Sequence, residues 1–138
     1  MHGRIDSMSR WGWVEGGGYV AAASLPLLWS SGQWITHGAE TFIRRDSWGV
    51  GYRPELEWMA DQEQSLTLAM RHGCVDIPAL ISHVEFSPGN YSQQHGDKEK
   101  FNRVIRAWRA LIDTPEFGDV REQYLLLHSI TGHFSVRS

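Results

Sequence analysis

The sequence has few of the features that mark a disulfide-stabilised or membrane-spanning chain. Its one cysteine, Cys74, has no second cysteine to pair with. The longest apolar stretch, 19–29, is shorter than a membrane helix requires and contains Pro26. Glu15 and three glycines separate the early arginines from this stretch, which is not the layout of a signal peptide. We therefore expect no membrane partner and a cytoplasmic setting.

Positive charge is not in excess either. The chain has 13 Lys and Arg residues against 16 Asp and Glu residues, a formal net charge of −3. Domains that bind nucleic acids usually carry a basic excess, because they neutralise phosphates. This balance argues against nucleic acid as the partner.

The usual spacings of metal and nucleophile sites are also absent. None of the seven histidines has the i, i+4 spacing of an H-E-x-x-H zinc site. The best remaining set is His83, Glu85 and His95, and whether these residues meet in space stays open. Cys74 lies only two residues from His72, which does not favour a nucleophile–base pair. We expect no metal and no cofactor.

Tryptophan, in contrast, is abundant. Seven are present in 138 residues, and six of them precede residue 59. Large aromatic side chains either build a small core or line a groove for a sugar, a base or a peptide. Both interpretations stay open, and under the second the candidate binding residues are Trp11, Trp13 and Trp34.

The composition changes near residue 53. The first half is punctuated by glycine and predicts short strands, among them 32–37 and 40–45, while 21–29 is ambiguous between a strand and a short buried helix. The sequence predicts a flexible N-terminal arm over 1–10 and a single compact domain over 11–138. The expected fold class is α+β, with the Trp/Gly-rich N-terminal half packed on three to four C-terminal helices.

The second half has clear helical patterns. Pro54 and Gly73 bound the first predicted helix, and a short one follows over 77–86. Asp97 caps a third that extends to 113, and a fourth runs from Thr114 and Pro115 to about residue 130. Apolar residues fall on one face of the third and fourth helices. They are Phe101, Val104, Ile105, Trp108, Leu111, Ile112, Phe117, Val120, Tyr124 and Leu127.

The third predicted helix also carries a row of arginines. Arg103, Arg106 and Arg109 recur at every third position on its polar side, whereas the first half of helix 54–73 is acidic. Two interpretations stay open. The charges are either solvated faces that lean towards each other, or a basic surface for an anionic partner. The second makes these three arginines candidate binding residues.

Glu63 lies in an unexpected position. On a helix over 54–73 it falls within the apolar stripe that includes Met59, Leu66 and Met70. A carboxylate there has to be paired, protonated or placed in a cavity, because an isolated buried charge is costly. The alternatives are a structural pair with an Arg or His of the first half, an edge position open to water, and a catalytic role.

Glu15 belongs to a glycine-rich stretch, EGGGY, at 15–19. This stretch is similar to the E-G-G-Y start of some phage-type muramidases, with one extra glycine, and 101–124 faintly resembles a segment of chitosanase-like lysozymes. The first resemblance implies that Glu15 is the proton donor. A second carboxylate, Glu40 or Asp46, would then lie across the sugar, with tryptophans as stacking platforms.

Two functions follow from these observations. The first is a small non-catalytic binding or interaction protein, of the adaptor, inhibitor or immunity type, with another protein as its partner. The alternative is a cell-wall glycosidase, muramidase- or chitosanase-like, that uses Glu15 as general acid. Glu63 is the other candidate catalytic residue.

Overall fold

Both helices and short strands are present in the chain, which places it in the mixed α+β class. The structure, a computed structural model, describes residues 3–5, 17–32, 41–77, 84–86 and 97–138. In these ranges the α-helices are α1 (Leu25–Ser30), α2 (Ala60–His72), α3 (Lys98–Ile112) and α4 (Arg121–Thr131). The strands are β1 (Gly3–Ile5), β2 (Gly18–Val20), β3 (Cys74–Asp76) and β4 (Val84–Phe86). The mixed α+β class is confirmed, and three of the helices lie after residue 53.

The strands form two separate antiparallel pairs. β1 pairs with β4, so that Arg4 lies opposite Glu85, and β2 pairs with β3, so that Tyr19 lies opposite Val75. The prediction of a helix over 77–86 is therefore wrong at β4. Because its partner strand is about 80 positions away in the sequence, no local pattern predicts this pairing.

Two other local predictions have different outcomes. The strand expected over 40–45 is wrong where the structure describes it, because 41–44 is irregular and a 3₁₀ turn follows at Arg45–Ser47. The helical alternative for 21–29 is confirmed by the turn Ala22–Ser24 and by α1. The strand expected over 32–37 lies outside the described residues, apart from Gly32. The division into an arm, 1–10, and a domain, 11–138, stays a prediction.

The core is built from the apolar faces of the helices. In α3 the predicted stripe is confirmed, because Val104, Ile105 and Trp108 are fully buried. Phe117, Val120, Tyr124 and Leu127 are buried at the α4 end, as the fourth predicted helix requires. α1 packs against α4 and contributes Leu25 and Trp29. Asp97 caps α3 by accepting hydrogen bonds from the backbone N–H groups of Glu99 and Lys100.

The helix predicted over 54–73 is divided into two pieces. A 3₁₀ segment, Pro54–Met59, precedes α2, and Glu57 inside it has φ of 47° and ψ of −121°. A non-glycine residue with positive φ costs about 1–3 kcal/mol and persists only where contacts with its surroundings offset that cost. The Glu57 carboxylate is held by Lys100 at 3.2 Å and Arg103 at 2.8 Å. The break therefore depends on contacts with α3, and the sequence around Glu57 does not predict those contacts.

Gly73 connects α2 to β3 in a conformation that a side chain would disturb. Its φ is +74°, and a Cβ atom there would lie 2.5 Å from the Val20 carbonyl oxygen and 2.6 Å from the Tyr19 hydroxyl. We expect Gly73→Ala to lower the free energy of unfolding by about 2 kcal/mol, from backbone strain and this clash together. Urea denaturation followed by circular dichroism measures the change.

Gly32 provides the matched control for this substitution. Its φ is +78°, but no atom lies within 4 Å of a Cβ placed on it. Gly32→Ala therefore tests backbone strain without the clash, and we expect it to cost less. Equal losses in the two variants would mean that the approach of β2 to Gly73 contributes nothing.

Candidate functional site

A cavity of about 140 Å³ lies between the segment 47–53, α2 and the turn Pro115–Phe117. Trp48, Val50 and Phe117 give it apolar lining, and Arg53, Glu63 and Arg71 give it charged lining. The segment 47–53 is fixed over α2 because the Gln64 side-chain amide donates a hydrogen bond to the Trp48 carbonyl oxygen at 2.5 Å. The cavity is thus bounded by elements distant in sequence.

Glu63 is the most deeply buried charged group of this cavity. Its side chain is only 4% exposed, and the Thr67 hydroxyl, one turn further along α2, donates to its Oε1 at 2.9 Å. The Thr67 and Tyr124 hydroxyl oxygens lie 2.6 Å apart. Because the single Thr67 proton points to Glu63, Tyr124 donates to Thr67. A chain of two hydroxyls therefore leads from α4 to Oε1.

The second oxygen of Glu63 has a different environment. Oε2 lies 3.7 Å from Nε of Arg53, which is within ion-pair range but too long for a hydrogen bond. The Nε atom of Arg53 is buried and has no hydrogen-bond partner among the described residues. The same guanidinium forms an ion pair with Glu116 and lies 5.3 Å from the centre of the Phe117 ring.

Arg71 forms the other cationic side of the cavity. Its Nε and Nη2 atoms donate to the Asp119 carboxylate at 2.8 and 3.1 Å, and Nη2 also donates to the Glu116 carbonyl oxygen. The two arginine side chains are 15% and 28% exposed, whereas Glu116 and Asp119 are 48% and 57% exposed. The positive groups are therefore nearer the cavity interior than the carboxylates that pair with them.

The surroundings of Glu63 affect its titration in opposing ways. Burial raises its pKa above the ordinary value, and the negative charge of Glu116 adds to this. The Thr67 hydrogen bond and the positive charges of Arg53 and Arg71 lower its pKa, but the net direction is upward. Oε1 accepts from Thr67, and Oε2 faces Arg53.

The row of arginines on α3 does not act as one group. Arg103 is turned towards Glu57 and forms an ion pair with it at 2.8 Å. Arg106 and Arg109 are exposed, and neither has an ion-pair or hydrogen-bond partner within the described ranges. The sequence interpretation in which acidic and basic faces lean together thus applies to Arg103, and two cations remain directed to solvent.

Several residues singled out from the sequence lie outside the described residues. They are Trp11, Trp13, Glu15, Trp34, Glu40, His83 and His95. Asp46, the other candidate second carboxylate, is exposed and binds Arg44 at 2.6 Å. In the part of the chain that the structure describes, no group of three or more His, Cys, Asp or Glu side chains is arranged to hold a metal ion.

Sequence reasoning found Glu63 but missed the residues around it. Arg53 was not singled out, and Tyr124 was noted only as an apolar-face residue. One usable sign was Thr67, a polar residue that follows Glu63 by one helical turn and shares its buried face. The pairing of Glu63 with a basic residue at the end of the first half matches the structural alternative. A catalytic role for Glu63 stays a prediction.

Comparisons with other proteins provide no further assignment. No protein-family model matches the chain, and neither the curated proteins nor the solved structures include a match. Over the residues described, none of the helices has the length and apolar character needed to cross a membrane.

Proposed function

We propose that the chain is a small non-catalytic binding protein whose partner is another protein that presents an acidic surface. Arg106 and Arg109 on α3 are the proposed contact residues. Arg103 adds positive charge at one side of this surface, although its guanidinium forms an ion pair with Glu57. We infer that the protein acts in the cytoplasm, the setting expected for a chain with a single cysteine.

The observation that carries this proposal is the pair of arginines without counter-ions. Arg106 and Arg109 are three residues apart on one helix, so their side chains are neighbours. Like charges in such positions destabilise an isolated helix by about 0.2–0.5 kcal/mol. Elsewhere in the described ranges Arg53, Arg71 and Arg121 each pair with a carboxylate, whereas Arg45 is unpaired but lies in a 3₁₀ turn and not on a helix face. Two adjacent unpaired arginines are what an acidic partner would neutralise.

Arginine is also suited to this role chemically. Its planar guanidinium binds a carboxylate through two parallel hydrogen bonds, and it is enriched among the residues that dominate protein interfaces. On α3 the opposite face is anchored by Val104, Ile105 and Trp108, all fully buried. The two arginines are therefore presented from a rigid helix, which limits the ordering cost of binding.

Charge reversal tests the proposal. The tagged wild-type chain and the double variant Arg106→Glu, Arg109→Glu are used to capture proteins from the source cells, and captured proteins are identified by mass spectrometry and then purified. We expect the purified partner to bind the double variant at least about tenfold more weakly, because two attractive contacts become repulsive. Arg45→Glu is the control, since Arg45 is exposed and unpaired among the described residues but lies on another segment.

Two results would contradict this function. One is the failure of the wild-type chain to capture any partner, and the other is unchanged affinity of the double variant. A separate assay addresses the glycosidase alternative. We expect no clearing of a peptidoglycan suspension by the wild-type chain, and clearing that is lost in Glu15→Gln would support a catalytic function instead.

The tryptophan-rich first half is part of the same proposal. We infer that its short strands pack on the C-terminal helices and that Trp11, Trp13 and Trp34 add apolar contacts to the interface. Aromatic anchors of this kind, together with arginine, are typical of interface hot spots. Substitution of each tryptophan by alanine, with binding to the purified partner as the readout, tests this extension.

A further inference from the structure

We propose that the cavity beneath Trp48 is a binding site for a small carboxylate, one oxygen of which accepts hydrogen bonds from Arg53 Nε and from a proton carried on Glu63 Oε2. The cavity is separate from Arg106 and Arg109 in the contacts that the structure shows, so this site does not depend on the proposed protein partner. The ligand is either a free small acid or the head of an Asp or Glu side chain.

The first support is an unused donor. Arg53 Nε is buried and has no hydrogen-bond partner within the described ranges, although a buried donor left unpaired costs about 1–3 kcal/mol. Glu63 Oε2 lies 3.7 Å away. One acceptor atom placed beside this pair would be within hydrogen-bond distance of both atoms once the Arg53 side chain has moved enough to open its buried Nε to the cavity.

The second support is the position of charge around the cavity. The less exposed charged groups are Arg53, Arg71 and Glu63, while Glu116 and Asp119 extend towards solvent. If Glu63 is neutral, the interior groups carry two positive charges and no negative charge. An incoming carboxylate is then attracted by both guanidinium groups, and Trp48, Val50 and Phe117 contact its hydrocarbon part.

The third support is the pair of hydroxyls behind Glu63. Thr67 donates to Oε1 of the ionised carboxylate, and our proposal keeps this direction when Glu63 is neutral, so that Oε2 carries the proton. Burial raises the pKa of Glu63, which favours the neutral form. The charged or titratable groups facing it are Arg53 beside the Pro54–Met59 turn, Arg71 on α2, Glu116 in the Pro115–Phe117 turn and Tyr124 on α4.

Binding is therefore coupled to the uptake of one proton. When Glu63 is ionised, a second carboxylate beside it is repelled, and one proton from solvent must be bound before the ligand fits. Above the titration range of Glu63 the affinity for an already ionised ligand is expected to fall about tenfold per pH unit. No covalent bond is formed or broken.

Sodium acetate is the probe for this site, and amide chemical shifts of the isotopically labelled full chain report binding between pH 5.5 and 7.5 at constant ionic strength. For a ligand of four heavy atoms we expect a dissociation constant in the millimolar range at the lower pH. Acetamide, which has nearly the same shape but no charge, is the matched control and is expected to bind at least about tenfold more weakly.

Two variants separate the contributions of Glu63 and Arg53 to acetate binding. Glu63→Gln keeps the acceptor for Thr67 and places an amide N–H where the carboxyl proton would be, so we expect it to bind acetate with nearly constant affinity across the pH range. Arg53→Gln removes the cation and is expected to bind at least about tenfold more weakly. If Arg53→Gln does not fold, the pH profile of Glu63→Gln alone decides the matter.

The proposal is overturned if 100 mM acetate shifts the amide signal of no cavity residue at pH 5.5, if acetamide binds as tightly as acetate, or if Glu63→Gln retains the wild-type pH profile.

A second experiment identifies the source of the carboxylate that the cavity binds. A blocked peptide with one glutamate is compared with the same peptide carrying glutamine. Binding of the glutamate peptide supports an acidic side chain as the natural ligand, and binding of acetate alone supports a free small acid.

Discussion

Trp108→Ala is expected to lower the free energy of unfolding by about 3–5 kcal/mol, the largest change among the substitutions considered. Trp108 is fully buried in α3, and its ring centre lies 4.9 Å from that of His133, 5.2 Å from Phe134 and 6.1 Å from Tyr124. Its truncation removes one large side chain from contacts with α4 and with the C-terminal segment together. The surrounding rings cannot fill the resulting cavity completely.

Urea denaturation followed by far-ultraviolet circular dichroism measures this loss without relying on tryptophan fluorescence. Trp48→Ala is the control, because the Trp48 side chain is partly exposed and its ring contact in the described residues is with Tyr52 at 5.0 Å. We expect the control to cost about 1 kcal/mol or less. Equal costs for the two substitutions would mean that the junction of α3 with α4 is not the centre of the core.

Arg53→Ala is expected to lower the free energy of unfolding by about 3 kcal/mol at pH 7. Removal of one partner leaves the other charge buried and uncompensated, and Glu63 is the group left behind. The contact of the guanidinium with the Phe117 ring is also lost. Arg44→Ala is the control, since Arg44 and Asp46 form an exposed pair whose loss should cost less than about 1 kcal/mol.

The pH dependence of this loss identifies Glu63 as its cause. Burial raises the pKa of Glu63, so the folded chain holds a proton that the unfolded chain releases, and stability decreases as pH rises between the two values. Arg53 opposes this rise, so without it the decrease extends to higher pH. We expect Arg53→Ala to cost less at pH 4 than at pH 7.

A double-mutant cycle with Glu63→Gln completes this test. In the Glu63→Gln background the only carboxylate that loses Arg53 as its partner in the described residues is Glu116, which is half-exposed, so Arg53→Ala should cost at least about 1 kcal/mol less than in the wild type at pH 7. The difference should shrink at pH 4, where Glu63 is neutral. A cost that is the same in both backgrounds at both pH values would show that Glu63 and Arg53 are not coupled.

The features predicted correctly are those that depend on neighbouring residues. The Asp97 cap and the apolar spacing of Val104, Ile105 and Trp108 define α3, because both are local consequences of helix geometry. The position of Glu63 within an apolar stripe indicated burial as one alternative, and the structure has Glu63 buried.

The features missed are those that depend on distant contacts. β4 forms because it pairs with β1, and the helix expected over 54–73 breaks at Glu57, whose carboxylate is held from α3 by Arg103. The hydroxyl chain to Glu63 joins Thr67 to Tyr124, which is 57 residues further along. None of these pairings produces a periodic pattern in the sequence, since each partner lies on another element.

The prediction of the fourth helix is right in its apolar spacing and wrong in where the helix begins. Thr114 and Pro115 do open a helical turn, but this is the short 3₁₀ segment Pro115–Phe117, and α4 begins only at Arg121. The apolar spacing was still right, because Phe117, Val120, Tyr124 and Leu127 are all buried. The division of the helix also places Glu116 and Asp119 beside Arg53 and Arg71 at the cavity.

The most direct test of the proposed function is a charge-swap experiment with the captured partner. The acidic residues of the partner that crosslink to α3 are replaced by lysine, and binding to the wild-type chain and to the Arg106→Glu, Arg109→Glu variant is measured by calorimetry. We predict that the swapped partner binds the variant more tightly than it binds the wild type, because attraction is restored with the signs reversed. Tight binding of the unmodified partner to both forms would contradict a basic recognition face on α3.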